Sequence, residues 1–126
     1  MRKIISSKNL PSAIGTYSVA TLKNNFLFTS GQIAIDKTSS KLIYGGMKDQ
    51  ALKALDNIYM ILKEAGLEKN SILKLNVYVT DLDKFDEVNI AFELFFKNCD
   101  YPARTTIEVS ALPMGASIEI DCVAGL

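Results

Sequence analysis

Met47, Ala51, Leu55, Ile58 and Leu62 recur at steps of three and four, the spacing that gathers apolar side chains on one face of an α-helix. Gly66 directly after Ala65 tolerates the left-handed backbone that stops a helix, so this one is predicted from about Met47 to Ala65. A second helix is predicted with Asp83 as its N-cap and an end near Lys97, burying Phe85, Val88, Phe92 and Phe95. Asp86 and Glu87 fall in its first turn, where the helix dipole favours negative charge.

Elsewhere the period is two. Ser71 to Thr80 alternates, with Leu73, Leu75, Val77 and Val79 on one side and Ile72, Lys74, Asn76 and Tyr78 on the other, the pattern of a half-buried strand. Thr16 to Leu22 and Phe26 to Ser30 flank the polar turn Lys23-Asn24-Asn25 and read as a hairpin. After Pro102, Arg104 to Leu112 and Ala116 to Ala124 form two more alternating segments joined at Pro113-Met114-Gly115. The order β-β-α-β-α-β-β predicts an α+β fold, an open sheet with both helices on one face. The face left bare would carry Arg104, Thr106, Glu108, Ser110 and Leu112. Such a mixture of polar and apolar groups suits a subunit interface, and because oligomers usually close by symmetry it points to a ring of identical subunits.

A chain of 126 residues supports one core, so residues 1–126 are expected to form a single domain. Lysine plus arginine and aspartate plus glutamate both number 14, with the lysines scattered, which argues against a nucleic-acid binder. The basic start Met1-Arg2-Lys3 is not followed by the apolar stretch of a secretory signal, and no apolar run reaches the ~18–20 residues of a membrane span. A cytoplasmic protein is expected, with Cys99 and Cys122 as free thiols. There is no histidine at all. That removes Ser-His-Asp and Cys-His devices and His-based zinc sites, and leaves carboxylates, Arg, Lys, Tyr, hydroxyls, thiols and backbone groups to carry any chemistry.

Several residues have the right chemistry, each with a structural alternative that the sequence alone leaves open. Arg104 opens a strand, and its planar fork can hold a carboxylate through two parallel hydrogen bonds, or it can pair with an acid at a surface or interface. Glu119 and Asp121 point to one side of their strand; a partly desolvated Glu119 could deprotonate a water, or it is an acid on an outward face. Asn89 interrupts the apolar stripe of the second helix four residues after Phe85 and three before Phe92, so it faces inward to a polar contact or sits at the helix edge. Ser30-Gly31 ends a strand where a glycine admits close approach of a ligand to the backbone, or merely turns the chain. Tyr17 fits an interface or core as well as a site, and Cys122 reads as core.

Taken together, these segments resemble one family along nearly the whole chain. Ile14-Gly15-Thr16-Tyr17-Ser18, Thr29-Ser30-Gly31-Gln32-Ile33, Leu55-Asp56-Asn57-Ile58, Ala65-Gly66-Leu67 and Val88-Asn89 match its landmarks in order. The most specific run is Pro102-Ala103-Arg104-Thr105-Thr106-Ile107-Glu108-Val109, followed by Leu112-Pro113 and Ile118-Glu119-Ile120. The sequence resembles the RidA (YjgF) reactive intermediate deaminases, which have a chorismate-mutase-like fold and assemble as homotrimers with sites in clefts between subunits. The resemblance implies metal- and cofactor-free hydrolysis of 2-imino acids, 2-iminopropanoate and 2-iminobutanoate, to 2-keto acids and ammonia. It implies that Arg104 binds the substrate carboxylate and Glu119 handles the attacking water, while Tyr17, Ser30, Gly31, Asn89 and the Thr106 backbone line the cleft. Two positions depart from the common pattern: Thr16 replaces a proline and Thr106 a cysteine, which leaves substrate range and regulation open. The same resemblance extends to relatives described as translation-inhibiting endoribonucleases, as chaperone-like proteins or as ligand-binding modules.

Overall fold

The structure, a computed structural model, describes residues 1–125. Its elements are β1 (Lys3–Ile5), β2 (Ala20–Lys23), β3 (Phe26–Thr29), α1 (Met47–Glu64), β4 (Ile72–Val79), α2 (Phe85–Phe95), β5 (Ala103–Glu108) and β6 (Ile118–Gly125). The six strands lie in the order β1-β2-β3-β6-β4-β5. Every neighbouring pair is antiparallel except β4–β5. Parallel neighbours need a long connection, and α2 supplies it.

The α1 boundaries agree with the sequence reading: Ala65 caps the helix and Gly66 takes a φ of +78°. The hairpin turn is also as expected, because Asn24 and Asn25 both adopt positive φ, the backbone a two-residue hairpin loop demands. Other boundaries move. The first strand of the hairpin begins at Ala20, not Thr16, and residues 14–17 are bends, so Tyr17 rides on a loop. The short edge strand β1 is additional. Asp81, not Asp83, is the capping acid: its side chain accepts from the Asp83 backbone N–H at 3.0 Å and starts a single 3₁₀ turn that leads into α2. Phe85 is 39% exposed and so is not part of the core as expected, whereas Val88, Phe92 and Phe95 are buried.

The helices cover one face of the sheet. From the strands, Leu27, Leu75, Val77, Val79, Ile118, Ile120, Cys122 and Ala124 join Leu55, Ile58, Ile61 and Leu62 of α1 and Val88, Phe92 and Phe95 of α2 in one contiguous core. Each fully buried leucine, isoleucine or valine among them contributes roughly 1.5–3 kcal/mol. Leu73 was expected on this side, but a register irregularity between Ile72 and Lys74 turns it outward and buries Ile72 in its place.

Two buried amides tie α1 to segments near the chemistry. Asn57 donates to the carbonyls of Ile33 and Ile35 at 3.2 and 3.0 Å, and Gln50 accepts from the Ser117 N–H at 2.9 Å. They fix the stretch just after Gly31 and the approach to Glu119.

The bare face differs from the one expected. In the parallel β4–β5 register Arg104 pairs with Leu75 and Thr106 with Val77, so both point toward the helices, and β5 ends at Glu108, before Ser110 and Leu112. The bare face instead carries Thr105 and Ile107 of β5, Asn76 and Tyr78 of β4, Glu119 and Asp121 of β6, and Phe26 and Phe28 of β3. Ile4, Phe26, Phe28 and Ile107 stand exposed there. Exposed apolar groups gathered on a sheet face are what a covering surface would bury.

Candidate active site

The candidate residues fall into two groups on opposite sides of the sheet. Arg104 leads the first. It sits on the edge strand β5 with its side chain leaning over α2, where its Nη2 donates to Asn89 Oδ1 at 2.8 Å. The guanidinium carbon stands 4.6 Å from the ring centroid of Phe92 and 5.1 Å from that of Phe85. Phe85, Asn89 and Phe92 are spaced at i, i+4 and i+7 of α2, so a single helix face supplies all three contacts.

Burial lowers the Arg104 pKa from its ordinary value, and among the described residues none of its hydrogen-bonding or ring partners carries a charge. The group stays protonated regardless, so Arg104 is a half-buried cation held by neutral partners. Losing water without gaining a counter-ion is unfavourable, and an incoming anion relieves it. A cavity of about 320 Å³ opens beside it, lined by Asn89, Phe92, Glu93, Tyr101, Pro102 and Arg104. Two residues along the strand and on the same side, Thr106 Oγ1 is buried with no hydrogen-bond partner among the described residues.

Glu119 leads the second group. It pairs with Tyr78 across β6–β4, on the face turned away from the helices. Burial first, and then the charge of Asp121, raise its carboxyl above the usual carboxylate range. Asp121 is itself fixed: Asn76 Nδ2 donates to its Oδ1 at 2.8 Å and the Tyr78 hydroxyl to its Oδ2 at 3.1 Å. The expected same-side placement of the two acids is therefore realised, with Asp121 engaged by its own strand neighbours and Glu119 free of such bonds.

Gly31 belongs here for a reason the sequence did not reveal. A Cβ at this position would lie 2.5 Å from Glu119 Oε2, so the glycine makes room for the carboxylate. Ser30 bonds back to the Tyr17 loop, its hydroxyl donating to Ser18 O at 2.6 Å and its N–H to Val19 O at 2.8 Å. Tyr17 is half exposed, and its hydroxyl accepts from the Ile14 N–H at 3.3 Å. Tyr17, Gly31, Pro113 and Glu119 share a crevice of about 50 Å³.

Arg104, Asn89 and Thr106 are thus brought together, as are Tyr17, Ser30, Gly31 and Glu119, but one copy of the chain does not bring the two sets to one another. The sequence pattern marks Phe85 and Phe92 only as core and Asp121 only as an acid on the Glu119 side. The helical spacing around Asn89 was the one available signal for the aromatic pair. No group of three or more acidic or thiol side chains that could hold a metal ion occurs among the described residues. No helix among them is long and apolar enough to cross a membrane.

Comparison with known proteins adds a family frame. Residues 7–126 match the family model described as Endoribonuclease L-PSP. Human 2-iminobutanoate/2-iminopropanoate deaminase is 40% identical over 124 residues, covering 98% of this chain and 90% of that one. A crystal structure from Yersinia pestis, assigned to the conserved Rid protein family, superposes with a TM-score of 0.95 at 40% identity and full coverage of both chains. The Escherichia coli protein TdcF, solved with bound serine, superposes with a TM-score of 0.94 at 33% identity over 98% of each chain.

Proposed function

Because the chain belongs to the Endoribonuclease L-PSP family, the RidA/YjgF group, we propose that it hydrolyses small 2-imino acids to 2-keto acids and ammonia. The observation that carries this reading is the Arg104 cradle: a half-buried guanidinium with only neutral partners beside an open cavity, the arrangement that holds a small carboxylate. The deaminase name at 40% identity and the serine bound to TdcF fit an amino-acid-sized carboxylate ligand.

The reaction needs the second group as well. With the substrate carboxylate on Arg104, Glu119 takes a proton from water as the oxygen adds to C2, and the C=N electrons move to nitrogen. That proton then passes to the amine, and Glu119 takes the remaining hydroxyl proton as the carbonyl forms, the C–N bond breaks and ammonia leaves, the proton going on to ammonia or solvent. An iminium carbon is already electrophilic, so positioning and one base suffice. A raised Glu119 pKa suits a base working near neutrality. Since Arg104 and Glu119 lie on opposite sides of their own sheet, the reading requires that a second copy complete each site, which in this family's symmetry means three clefts in a homotrimer.

The direct test is release of ammonia and 2-ketobutanoate when the protein is added to a threonine dehydratase reaction. No acceleration over spontaneous hydrolysis would reject the enzyme reading. The family's endoribonuclease name supports one rival, which the balanced charge and lack of histidine disfavour; cleavage of RNA by the pure protein at the same concentration would decide for it.

A further inference from the structure

We propose that Phe85 and Phe92 are positioning residues for Arg104, two ring faces that hold its guanidinium plane so that the fork opens toward the neighbouring cavity. The inference rests on reading Arg104 as the carboxylate anchor and goes beyond it, since it assigns the anchor's geometry to two aromatic side chains. A guanidinium has to be aimed. A carboxylate accepts two parallel N–H bonds only when both groups share a plane, and an arginine side chain has enough freedom to lose that alignment.

The hydrogen bond to Asn89 fixes one end of the fork, Nη2, at 2.8 Å. A single bond leaves the plane free to turn about that contact. Contact with a ring face restrains this turning, because a planar cation over an aromatic ring is held both electrostatically and by contact area. The two centroids, 4.6 and 5.1 Å from the guanidinium carbon, lie within the range of that interaction.

The two rings differ in setting. Phe92 is 4% exposed and lines the cavity that Arg104 also lines, whereas Phe85 is 39% exposed and does not line it. Exposure of so large an apolar ring at the first residue of α2 is unexplained by core packing. Contact with Arg104 explains it, and neither ring brings a charge that would compete with an incoming anion. Asn89, as a neutral acceptor, meets the same requirement. An aspartate there would neutralise the anchor it orients.

The test reads the guanidinium itself. In the ¹⁵N-labelled full-length protein, relaxation of the Arg104 Nε–H group reports its order, with the signal identified by its loss in Arg104→Lys. Binding of 2-ketobutanoate is measured alongside by calorimetry. Phe85→Leu and Phe92→Leu are expected to drop the Nε–H order parameter from the rigid range to below about 0.6. Each is expected to weaken 2-ketobutanoate by roughly three- to tenfold. Phe85→Tyr and Phe92→Tyr keep a ring face and should retain both properties, which loss of packing alone does not foresee. Should Phe92→Leu fail to fold, the more exposed Phe85 decides the matter. An unchanged Arg104 order parameter in the folded leucine variants overturns the proposal. A loosened Arg104 with unaltered 2-ketobutanoate affinity, or with no binding even in the parent protein, keeps the cradle and overturns Arg104 as the carboxylate anchor.

Discussion

The Arg104 group and the Glu119 group use opposite means to perturb a charge. Arg104 is held by side chains from one helix face, all neutral, with no ion-paired partner among the described residues. Glu119 is shaped by segments far apart in sequence, a glycine after β3 and strands β4 and β6, and sits beside a second acid. One half lacks an anion and the other holds a carboxylate that resists ionisation. Each is unfavourable alone, and on the proposed function a substrate between them relieves the first and employs the second.

The largest way to break this comparison is to delete the cation. Arg104→Ala removes the cation proposed to hold the substrate carboxylate and should cost about 2–5 kcal/mol, roughly thirtyfold to several thousandfold in kcat/KM. Arg104→Lys should recover little, because an ammonium cannot reproduce the planar fork. Steady-state rates with enzymatically generated 2-iminobutanoate check both. Wild-type rates in Arg104→Ala would remove this residue from the site.

Glu119→Gln attacks the other half. It keeps size and hydrogen-bonding reach but loses the basic oxygen, so 2-ketobutanoate binding should persist while turnover falls about 10²–10⁴-fold. The two variants together test where the halves meet. When Arg104→Ala and Glu119→Gln chains are co-refolded in equal amounts, a site drawing one residue from each of two copies is intact with a probability of one half times one half, so about a quarter of wild-type activity returns. A site contained within one copy recovers none. The pH dependence sharpens this further. Glu119 has a folded-state pKa raised above its unfolded value, so its ionised form disfavours folding, and that burden is absent below the unfolded pKa and present once pH rises through the folded one. Thermal melts should therefore show Glu119→Gln more stable than the parent at pH 7 and no more stable at pH 4.

A smaller effect is expected at Gly31. Its φ is not in the left-handed region, so alanine is compatible with the backbone, but the new Cβ meets the Glu119 carboxylate at 2.5 Å. The neighbour is the end of a side chain that can move. Gly31→Ala should fold normally and lose about tenfold in kcat, since displacing a catalytic group by an ångström is costly. Full turnover would mean that the Glu119 position seen beside Gly31 is not the working one.

The two halves also differed in how legible they were in the sequence. The Arg104 half lies on regular elements, where the spacing of Phe85, Asn89 and Phe92 already placed three side chains on one helix face. What the spacing could not say was that a strand arginine would cross over to that face. Alternation fixes which residues of β5 share a side but not which side meets the helices; that depends on the parallel pairing of Arg104 with Leu75, a tertiary fact. The Glu119 half was less accessible. Gly31 and Glu119 meet only because Gln32 bridges to Ile120, a contact between distant segments with no local signature. The Tyr17 loop misled for a related reason: Thr16, Tyr17 and Val19 favour strands, yet the described chain bends there and pairs only from Ala20. Leu73 was misplaced by a register irregularity that shifts the period by one residue.

The smallest expected effect concerns Thr106, where the two halves should diverge in what they tolerate. Its hydroxyl is buried on the Arg104 side with no partner among the described residues, and an unsatisfied buried hydroxyl costs on the order of 1–3 kcal/mol. Valine has nearly the same shape and no polar group to strand. Thr106→Val should thus gain about 1 kcal/mol, a rise in melting temperature of roughly 3–4 °C for a chain of this size. The family reading gives this position a backbone contact to the ligand, and valine leaves the backbone in place. Unchanged kcat/KM with a higher melting temperature is therefore the expected pair of results from calorimetry and steady-state assays. A fall in both would mean that the hydroxyl finds its partner only in the assembled protein, and would add Thr106 to the groups that join one copy to the next.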